Sequence, residues 1–414
     1  MTAGTRVAGS PDTANAVATL RSTAEIRSRA TALLDRSRSG ASSWFRVDDD
    51  RIGDAVALVA EVTRARYPDL AIPYHSRWRH FEVGGVDRVA DLDVRLGEVG
   101  AAERARTQID LAVVSVLLDA GAGAEWYFDE PGTGQRVRRS EGLAVASVHA
   151  FAGGLFSSDP DVPLRVDAAG LRSIDEAALA AAFGVGPTTP LVGLSGRLAV
   201  LHRLADALDA RPDVFSSRRP GDLYDRLTAA GGAVDAHDIL SLLLDTLSPI
   251  WPSDNRIGEV ALGDCWHHTA VNGAGGTAGW MPFHKLSQWL TYSLLEPFEW
   301  AGIDVGDLGA LTALPEYRNG GLLLDTAVLV PVPSDALTAR WHVDDEFIVE
   351  WRALTVALLD EIAPLVADRL GMTAAELPLA CVLEGGTWAA GRETARTLRD
   401  GLPPLDIASD GTVF

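Results

Sequence analysis

The chain has 414 residues, of which 47% are hydrophobic and 22% are charged, a balance typical of a globular protein rather than a disordered one. The formal net charge of −21 repels phosphate backbones, so we expect no nucleic-acid partner. Two cysteines, Cys265 and Cys381, are too few for a disulfide scaffold or a four-cysteine zinc module. Without a span-length apolar run or a signal-peptide pattern, the sequence predicts a cytoplasmic protein that does not contact membranes.

The beginning of the chain is small and polar, so we expect residues 1–15 to be disordered. Residues 16–414 are expected to form a single helical domain, and two lobes divided near 150–190 are the alternative.

Helical periodicity dominates the rest of the chain. Apolar residues recur at helical spacing over 17–34, 52–66 and 102–120. The region 126–139 is compatible with short strands, and the Pro-Gly-Thr-Gly run inside it predicts a turn. The fold class is therefore predicted to be mainly α with few short strands.

Two further helices are predicted in the last third of the chain. Asp344 is expected to cap a helix over 345–369. Another helix is expected over 284–296, and Pro297 should end or kink it. The apolar face of the first of these comprises Phe347, Trp351, Leu354, Leu358, Ile362 and Leu365.

The stretch 249–282 shows little helical pattern, and a loop of that length inside a compact domain is usually functional or hides a missed element. It holds Cys265, His267 and His268, which are metal-ligand types, and His284 follows nearby. Zinc ligands must converge on one point, whereas adjacent histidines point in different directions. A loop with hydrogen-bonded histidines is the alternative, and we assign no metal.

The first turn of the helix over 284–296 carries Lys285. Free N–H groups and a partial positive charge at a helix N-terminus favour an anion, which Lys285 could help to bind. A solvated lysine on a helix face is the alternative.

The run Leu-Pro-Glu-Tyr-Arg-Asn-Gly-Gly, residues 314–321, packs an acid, a phenol and a guanidinium together. Its Asn-Gly-Gly end predicts a tight turn that presents Glu316 and Arg318 into a cleft. A salt-bridged turn before the next helix is the alternative.

One more acid, Glu350, needs an explanation. Glu350 lies beside an apolar helix face, so it requires a partner, and structural ion pairing is favoured. The candidate partners are Arg318, Arg352 and Lys285.

Aromatic side chains could sandwich a planar base, although they more often form core. They are Trp126, Tyr127, Phe128, Trp266, Trp280 and Phe283.

Long segments of the chain resemble a family linked to uracil catabolism in fungi and bacteria, long catalogued as a domain of unknown function. Two of them follow each other in the chain, PFHKLSQWLTYSLLEPFEWAGI and LTALPEYRNGGLLLDTAVL. Two others resemble signatures of the family, AHDILSLLLDTLSPIWP and GDCWHH. The resemblance implies a pathway in which uracil is opened through a ribosylated intermediate and urea is released. It also implies contact with other uracil-catabolism enzymes.

A more distant resemblance links the chain to the queuosine salvage proteins, which hydrolyse queuosine 5′-phosphate to free base and ribose phosphate. Their aromatic-lysine-glutamine motif is similar to Phe283, Lys285 and Gln288, with His284 where they have tyrosine. Their acid-tyrosine-arginine motif matches Glu316, Tyr317 and Arg318, although their acid is aspartate, and their Glu-x-Arg motif matches Glu350 and Arg352. This resemblance implies a helical fold related to helix-hairpin-helix DNA glycosylases.

Together the two resemblances imply an N-glycosidase that cleaves the C1′–N bond of a ribosylurea 5′-phosphate or a related ring-opened uridine phosphate. Glu316 would stabilise the oxocarbenium-like charge, with His284 or Tyr317 assisting the leaving nitrogen. Lys285 and Arg318 would hold the phosphate, and no cofactor would be required. The remaining substrate-binding residues would be Gln288, Phe283, Glu350, Trp126 and Phe128.

Two other functions remain open on the sequence. A metal-dependent amidohydrolase acting on the ureide would use the cysteine and histidines of the 265–284 region. A non-catalytic scaffold would channel intermediates between pathway enzymes and would tolerate loss of Lys285 or Glu316. A DNA glycosylase is disfavoured, because fold does not fix function and the acidic surface opposes duplex binding.

Overall fold

The computed structural model describes residues 11–251 and 253–408, which fold mainly into α-helices with few, short strands. The predicted fold class is therefore confirmed. Residues 1–10, expected to be disordered, lie outside the described residues. Residues 11–15, also expected to be disordered, are helical instead. Pro11 at the first helical position and Asp12 in the first turn both favour a helix start there.

The helices account for most of the described chain. They are α1 (Pro11–Leu20), α2 (Thr23–Arg38), α3 (Ile52–Arg66), α4 (Arg77–Phe81), α5 (Arg88–Leu96), α6 (Ala101–Leu117), α7 (Arg139–Ala152), α8 (Ala168–Ser173), α9 (Glu176–Ala182), α10 (Leu194–Ala210), α11 (Asp222–Thr228), α12 (Ala236–Leu247), α13 (Lys285–Trp300), α14 (Tyr317–Asp325), α15 (Glu346–Leu370), α16 (Leu379–Val382) and α17 (Trp388–Arg399). A π-helical turn, Leu383–Thr387, joins α16 to α17.

The strands form isolated pairs of two or three residues each. The antiparallel pairs are β1 (Phe45–Val47) with β10 (Leu329–Pro331), β2 (Phe128–Asp129) with β3 (Arg136–Val137), β5 (Arg256–Ile257) with β6 (Val260–Ala261), and β7 (Cys265–His267) with β8 (Trp280–Pro282). The parallel pairs are β4 (Val234–Asp235) with β9 (Val305–Gly306), and β11 (Arg340–Trp341) with β12 (Asp406–Ile407).

Two large hydrophobic cores organise the helices. One is formed mainly by the middle of the chain, residues 78–314, and the other mainly by its two ends, residues 26–62 and 322–405. Buried residues before and after 150–190, such as Val145 and Leu201, share the first core. Helix faces on both sides of that region therefore contribute to one core.

Most elements predicted from periodicity occur where expected. The 52–66 and 102–120 segments are α3 and α6, and the 126–139 region is the β2–β3 hairpin. The 17–34 segment is two helices, α1 and α2, rather than one. The stretch 249–282 contains the short strands β5 to β8, which were missed because two-residue and three-residue strands carry almost no periodic signal.

The two late helices differ from the prediction at their ends. Helix α13 runs through Pro297 to Trp300, so the proline does not end it at once. Helix α15 begins at Glu346, and its N-cap is Asp345, whose side chain accepts the backbone N–H of His342 instead of capping the helix. Leu365, expected on the apolar face, is exposed.

None of the helices in the described residues is long and apolar enough to cross a membrane.

Glycine residues allow α14 to pack closely against its neighbours. The Asn319–Gly321 run was predicted to be a tight turn, but it lies inside α14. A Cβ at Gly320 would lie 2.6 Å from the indole of Trp351, and a Cβ at Gly391 on α17 would overlap the carbonyl oxygen of Arg318. These glycines therefore serve close helix packing and not a turn, which the sequence alone does not distinguish.

Substitution of Gly391 by alanine should lower the free energy of unfolding by about 1–3 kcal/mol, because the new methyl group must displace backbone. Chemical denaturation measures this change. Gly53 on α3 has no neighbouring atom within 4 Å of an added Cβ, so Gly53→Ala is a matched control that should be neutral or stabilising. Equal effects of the two substitutions would contradict the packing role of Gly391.

Candidate functional site

Asp264 anchors the start of α13. Its carboxylate accepts two hydrogen bonds from Arg352 on α15, with both N–O distances at 2.8 Å. The same carboxylate accepts the backbone N–H of Lys285 at 2.9 Å and the indole N–H of Trp266 at 2.7 Å. Burial by itself would raise the pKa of Asp264, but the Arg352 guanidinium outweighs burial and holds the pKa well below its usual range.

Glu316 lies at the N-cap of α14. Its carboxylate accepts the backbone N–H groups of Arg318 at 2.8 Å and Asn319 at 2.6 Å, which fixes its orientation. Lys285 is half-buried, and burial lowers its pKa, as does the charge of Arg352. Asp264, Glu316 and Asp119 act on the pKa of Lys285 in the opposite direction, so these carboxylates lie within electrostatic range of its ammonium. Lys285 and Glu316 are therefore close enough for their charges to interact.

Arg318 carries its charge into the interior. It is 4% exposed, and its guanidinium carbon lies 5.0 Å from the ring of Tyr317 and 5.1 Å from the ring of Trp388. Its Nη1 has no hydrogen-bond partner, and its guanidinium forms no ion pair with any residue the structure describes. A buried cation without a counterion is costly unless a ligand supplies one. The geometry therefore points to an anion-binding position at Arg318.

Two indoles and two imidazoles lie close together, and one of the indoles, Trp388, is the ring beside Arg318. The ring centroid of Trp289 is 5.6 Å from that of His80 and 6.5 Å from that of His75. The corresponding distances for Trp388 are 6.2 Å and 6.0 Å. We call the combined set the central cluster: His75, Arg77, His80, Lys285, Trp289, Glu316, Tyr317, Arg318 and Trp388.

His80 is held neutral by its surroundings. An N–H of Arg77 and the hydroxyl of Ser140 each lie 3.1 Å from His80 Nδ1, and the always-protonated Arg77 donor favours the tautomer with the ring proton on Nε2. Burial and, second, the charge of Arg77 lower the pKa of His80 to about 4, against the opposing charges of Asp119 and Glu141. At neutral pH, His80 is therefore an uncharged hydrogen-bond donor through Nε2.

His75 and Trp388 are positioned by the π-helical turn Leu383–Thr387. Glu384 in this turn accepts a hydrogen bond from His75 Nδ1 at 2.8 Å and pairs with Arg66 at 2.8 Å. Burial would raise the pKa of Glu384, but His75 and Arg66 outweigh it and bring the pKa to about 2. Such π-helical turns are often found at functional sites, and this one introduces Trp388 at the start of α17.

Four of the predicted site residues come together in the central cluster: Lys285, Glu316, Tyr317 and Arg318. Burial raises the pKa of Tyr317, so its phenol stays protonated and can donate a hydrogen bond.

Glu350 has partners other than those predicted. Its fully buried carboxylate accepts hydrogen bonds from Ser37, at 3.2 Å, and from Ser42, and it lies 3.1 Å from Nε2 of His268. Of the expected partners, Arg352 pairs with Asp264 instead, and neither Arg318 nor Lys285 forms an ion pair with Glu350. Glu350 is therefore a structural link between α2 and α15 rather than a substrate contact.

Phe283, His284 and Gln288 support the helix start. The guanidinium of Arg352 lies 4.0 Å from the Phe283 ring, which is fully buried. His284 has left-handed backbone angles, and its Nε2 lies 2.9 Å from the Leu20 carbonyl oxygen, so its N–H is already used. Gln288 donates to the carbonyl of Phe283 and exchanges hydrogen bonds with Thr312. These contacts hold the start of α13 in place.

Trp126 and Phe128 belong to the first hydrophobic core. The Trp126 ring is fully buried, and its Nε1 donates to the carbonyl of Phe183 at 3.1 Å. Phe128 contacts His149, with the ring centroids 5.7 Å apart. His149 stands nine residues beyond Ser140 on α7, a distance of about 13 Å at 1.5 Å per residue. Phe128 therefore lies away from the central cluster, whereas Trp126 is held in the core by its hydrogen bond to Phe183.

The cysteine and histidines around β7 have separate partners. Cys265 is fully buried, which raises its pKa well above the usual value. The ring of His267 lies 3.7 Å from that of Trp280, and His268 pairs with Glu350. In the described part of the chain, no three His, Cys, Asp or Glu side chains are arranged to hold a metal ion.

Sequence reasoning missed five of the nine members of the central cluster: His75, Arg77, His80, Trp289 and Trp388. His75, Arg77 and His80 come from the run His-Ser-Arg-Trp-Arg-His, whose density of charged and aromatic side chains was the available signal. Trp388 follows Gly385 and Gly386, and this glycine pair was the available signal for an irregular turn.

Arg318→Met should leave the free energy of unfolding within about 1 kcal/mol of the wild-type value or raise it, because it removes an unpaired buried charge. Arg352→Met is the matched control and should cost about 3–5 kcal/mol, since it leaves Asp264 buried without its partner. Urea denaturation of both variants measures the difference. A large loss of stability in Arg318→Met would mean that Arg318 already has a partner within the protein.

His80 should make stability depend on pH. Its pKa is about 4 in the folded protein and 6.5 in the unfolded chain, so between these values only the unfolded chain binds the proton. The stability it contributes is present above pH 6.5 and is lost as the pH falls towards 4. Denaturation of the wild type and of His80→Gln should show the difference in unfolding free energy changing by up to about 3 kcal/mol across this window. A constant difference would contradict a buried neutral His80.

Comparison with known proteins places the chain in a family. Over 409 residues it is 38% identical to the protein named "Protein urg3" from Schizosaccharomyces pombe, covering 96% of this chain and 99% of that protein. It is 35% identical over 438 residues to "Uracil catabolism protein 4" from Lachancea kluyveri, covering 97% and 99% of the two chains. The family model described as "Protein of unknown function (DUF1688)" matches residues 19–414. The chain therefore belongs to the DUF1688 family.

Proposed function

We propose that this protein acts in uracil catabolism as an N-glycosidase that hydrolyses a ribosylurea 5′-phosphate, or a related ring-opened uridine phosphate, to ribose 5-phosphate and urea or a ureide. The pathway rests on the name of the relative "Uracil catabolism protein 4". The reaction rests on the resemblance to the queuosine salvage proteins and on the chemistry of the central cluster. From that resemblance we also propose a glycosylase-like helical architecture, and from the sequence a cytoplasmic location.

The observation that carries the proposal is the unpaired guanidinium of Arg318 beside an ordered carboxylate. Arg318 is 4% exposed and lacks a protein acceptor at Nη1, so it favours an anionic ligand. Glu316 is the cap of the helix that carries Arg318, and Lys285 is within range of its charge. This arrangement suits a ligand that carries a phosphate, which the two cations would bind, and an atom that becomes positively charged in the reaction, which the carboxylate would stabilise.

Breaking a C1′–N bond builds positive charge on the ribose ring. The Glu316 carboxylate is fixed by two backbone N–H groups, so it is oriented before the reaction and can stabilise that charge. It can also orient the attacking water. Arg318 and Lys285 would hold the phosphate, a remote group whose binding energy helps to position C1′. Tyr317, which stays protonated, would supply a further hydrogen bond.

The central test is the reaction of the purified protein with ribosylurea 5′-phosphate and with UMP, followed by quantification of ribose 5-phosphate and urea. We expect chelator-insensitive release from the ribosylurea. Glu316→Gln should lower kcat by about 10²–10³-fold, because it removes the charge while keeping an oxygen that can cap α14.

Glu316→Asp is the matched control. Aspartate is a good N-cap residue and retains the charge, so this variant should keep both folding and part of the activity. Full activity in Glu316→Gln would contradict the role of the carboxylate. If the wild type releases no ribose 5-phosphate from either compound, the assigned substrate is wrong.

A further inference from the structure

We propose that Arg77, His80 and Trp289 form a donor pocket for the oxygen of the departing urea or ureide. This inference rests on the proposed function and assigns its leaving-group step to residues outside the matched motifs. The pocket would accept a planar, uncharged carbonyl group and would stabilise the negative charge that it gains when the C1′–N bond breaks.

The donors are buried and lack acceptors. Arg77 is fully buried and Trp289 is 7% exposed, and neither Nη2 of Arg77 nor Nε1 of Trp289 has a hydrogen-bond partner within residues 11–251 and 253–408. The Arg77 guanidinium carbon lies 5.5 Å from the Trp289 ring, so the two groups are neighbours. Unpaired buried donors of this kind are rare in proteins and call for an acceptor from outside.

His80 adds a third donor. Its Nδ1 faces Arg77, which leaves the protonated Nε2 for another acceptor, and no described residue provides one. The ring lies near both indoles, 5.6 Å from Trp289 and 6.2 Å from Trp388 by ring centroids. These aromatic faces suit a flat amide, against which they can stack.

The charge of Arg77 is balanced within the protein. Asp119 lies 3.1 Å from Nη1 of Arg77 and accepts a hydrogen bond from Ser140 at 2.6 Å. The pocket therefore offers directed N–H groups without a net charge to attract an anion. This distinguishes it from the Arg318 position, where no carboxylate of the described residues is paired with the guanidinium.

The chemical step can be followed atom by atom. The C1′–N bond breaks heterolytically, and its electron pair moves to the urea nitrogen and, by resonance, to the urea oxygen. Water adds its oxygen to C1′ and loses one proton, which balances the charge of the urea anion when it reaches the nitrogen. Donors at the urea oxygen lower the barrier because they bind the developing anion more strongly than the neutral ureide.

The test compares two leaving groups in the full-length protein. Trp289→Phe keeps an aromatic ring but removes the N–H, and should lower kcat for ribosylurea 5′-phosphate by about 10²-fold. The same variant should leave the rate for 4-nitrophenyl ribofuranoside 5-phosphate nearly unchanged, since nitrophenolate is already a stable anion. Trp126→Phe is the matched control, because it removes a buried indole N–H from the core and should not alter the ratio of the two rates.

The outcomes separate this inference from the proposed function. The donor pocket would be overturned if Trp289→Phe lost kcat equally on both substrates, or if the wild type cleaved only the nitrophenyl compound. In either case the protein would still be a ribosyl hydrolase. A wild type that cleaves neither compound would overturn the proposed function and the pocket together. If Trp289→Phe does not fold, His80→Phe provides the same comparison without changing Trp289.

Discussion

The buried ion pair between Asp264 and Arg352 is the contact on which the candidate site depends. It joins the residue before β7 to the N-terminal third of α15 through two hydrogen bonds of 2.8 Å. The same carboxylate receives the first backbone N–H of α13, so it fixes where this helix begins. Removing either partner would leave an uncompensated buried charge, which makes the connection costly to break. The direction of Lys285, and of Trp289 one turn later, follows from it.

Asp264 and Arg352 have hydrogen-bond partners within the protein, whereas several buried donors nearby have none among the residues that the structure describes. Asp264 and Arg352 balance each other, whereas Arg318 lacks an acceptor at Nη1, as do Arg77 at Nη2 and Trp289 at Nε1. These three donors lie on three different helices that meet in the central cluster. A binding site requires such groups, because each retains hydrogen-bonding capacity for a ligand rich in acceptors, at a cost in stability to the unbound protein. A sugar phosphate carrying a ureide has acceptors at both ends.

The sequence predicted the parts of this arrangement that depend on local patterns. Helical periodicity placed α3, α6, α13 and α15, and the acid-tyrosine-arginine run supplied part of the cluster. The sequence could not show that Gly320 and Gly391 serve helix packing, because a glycine in a turn and a glycine in a helix contact have the same sequence signal. It also misassigned the partner of Glu350, which is set by a contact with His268, 82 residues away in the chain. His80 and Trp388 were missed for the same reason, since only the tertiary fold brings them to Trp289.

The central claim is that the bond broken is C1′–N and not a bond to the urea carbonyl. Ribosylurea 5′-phosphate labelled with ¹⁵N at both urea nitrogens separates the two directly, by mass spectrometry of the nitrogen-containing products at early times. The account predicts intact urea carrying both labels, formed together with an equal amount of ribose 5-phosphate. Labelled ammonia, or ribosylamine 5-phosphate retaining one label, would contradict it and would identify an amidohydrolase instead.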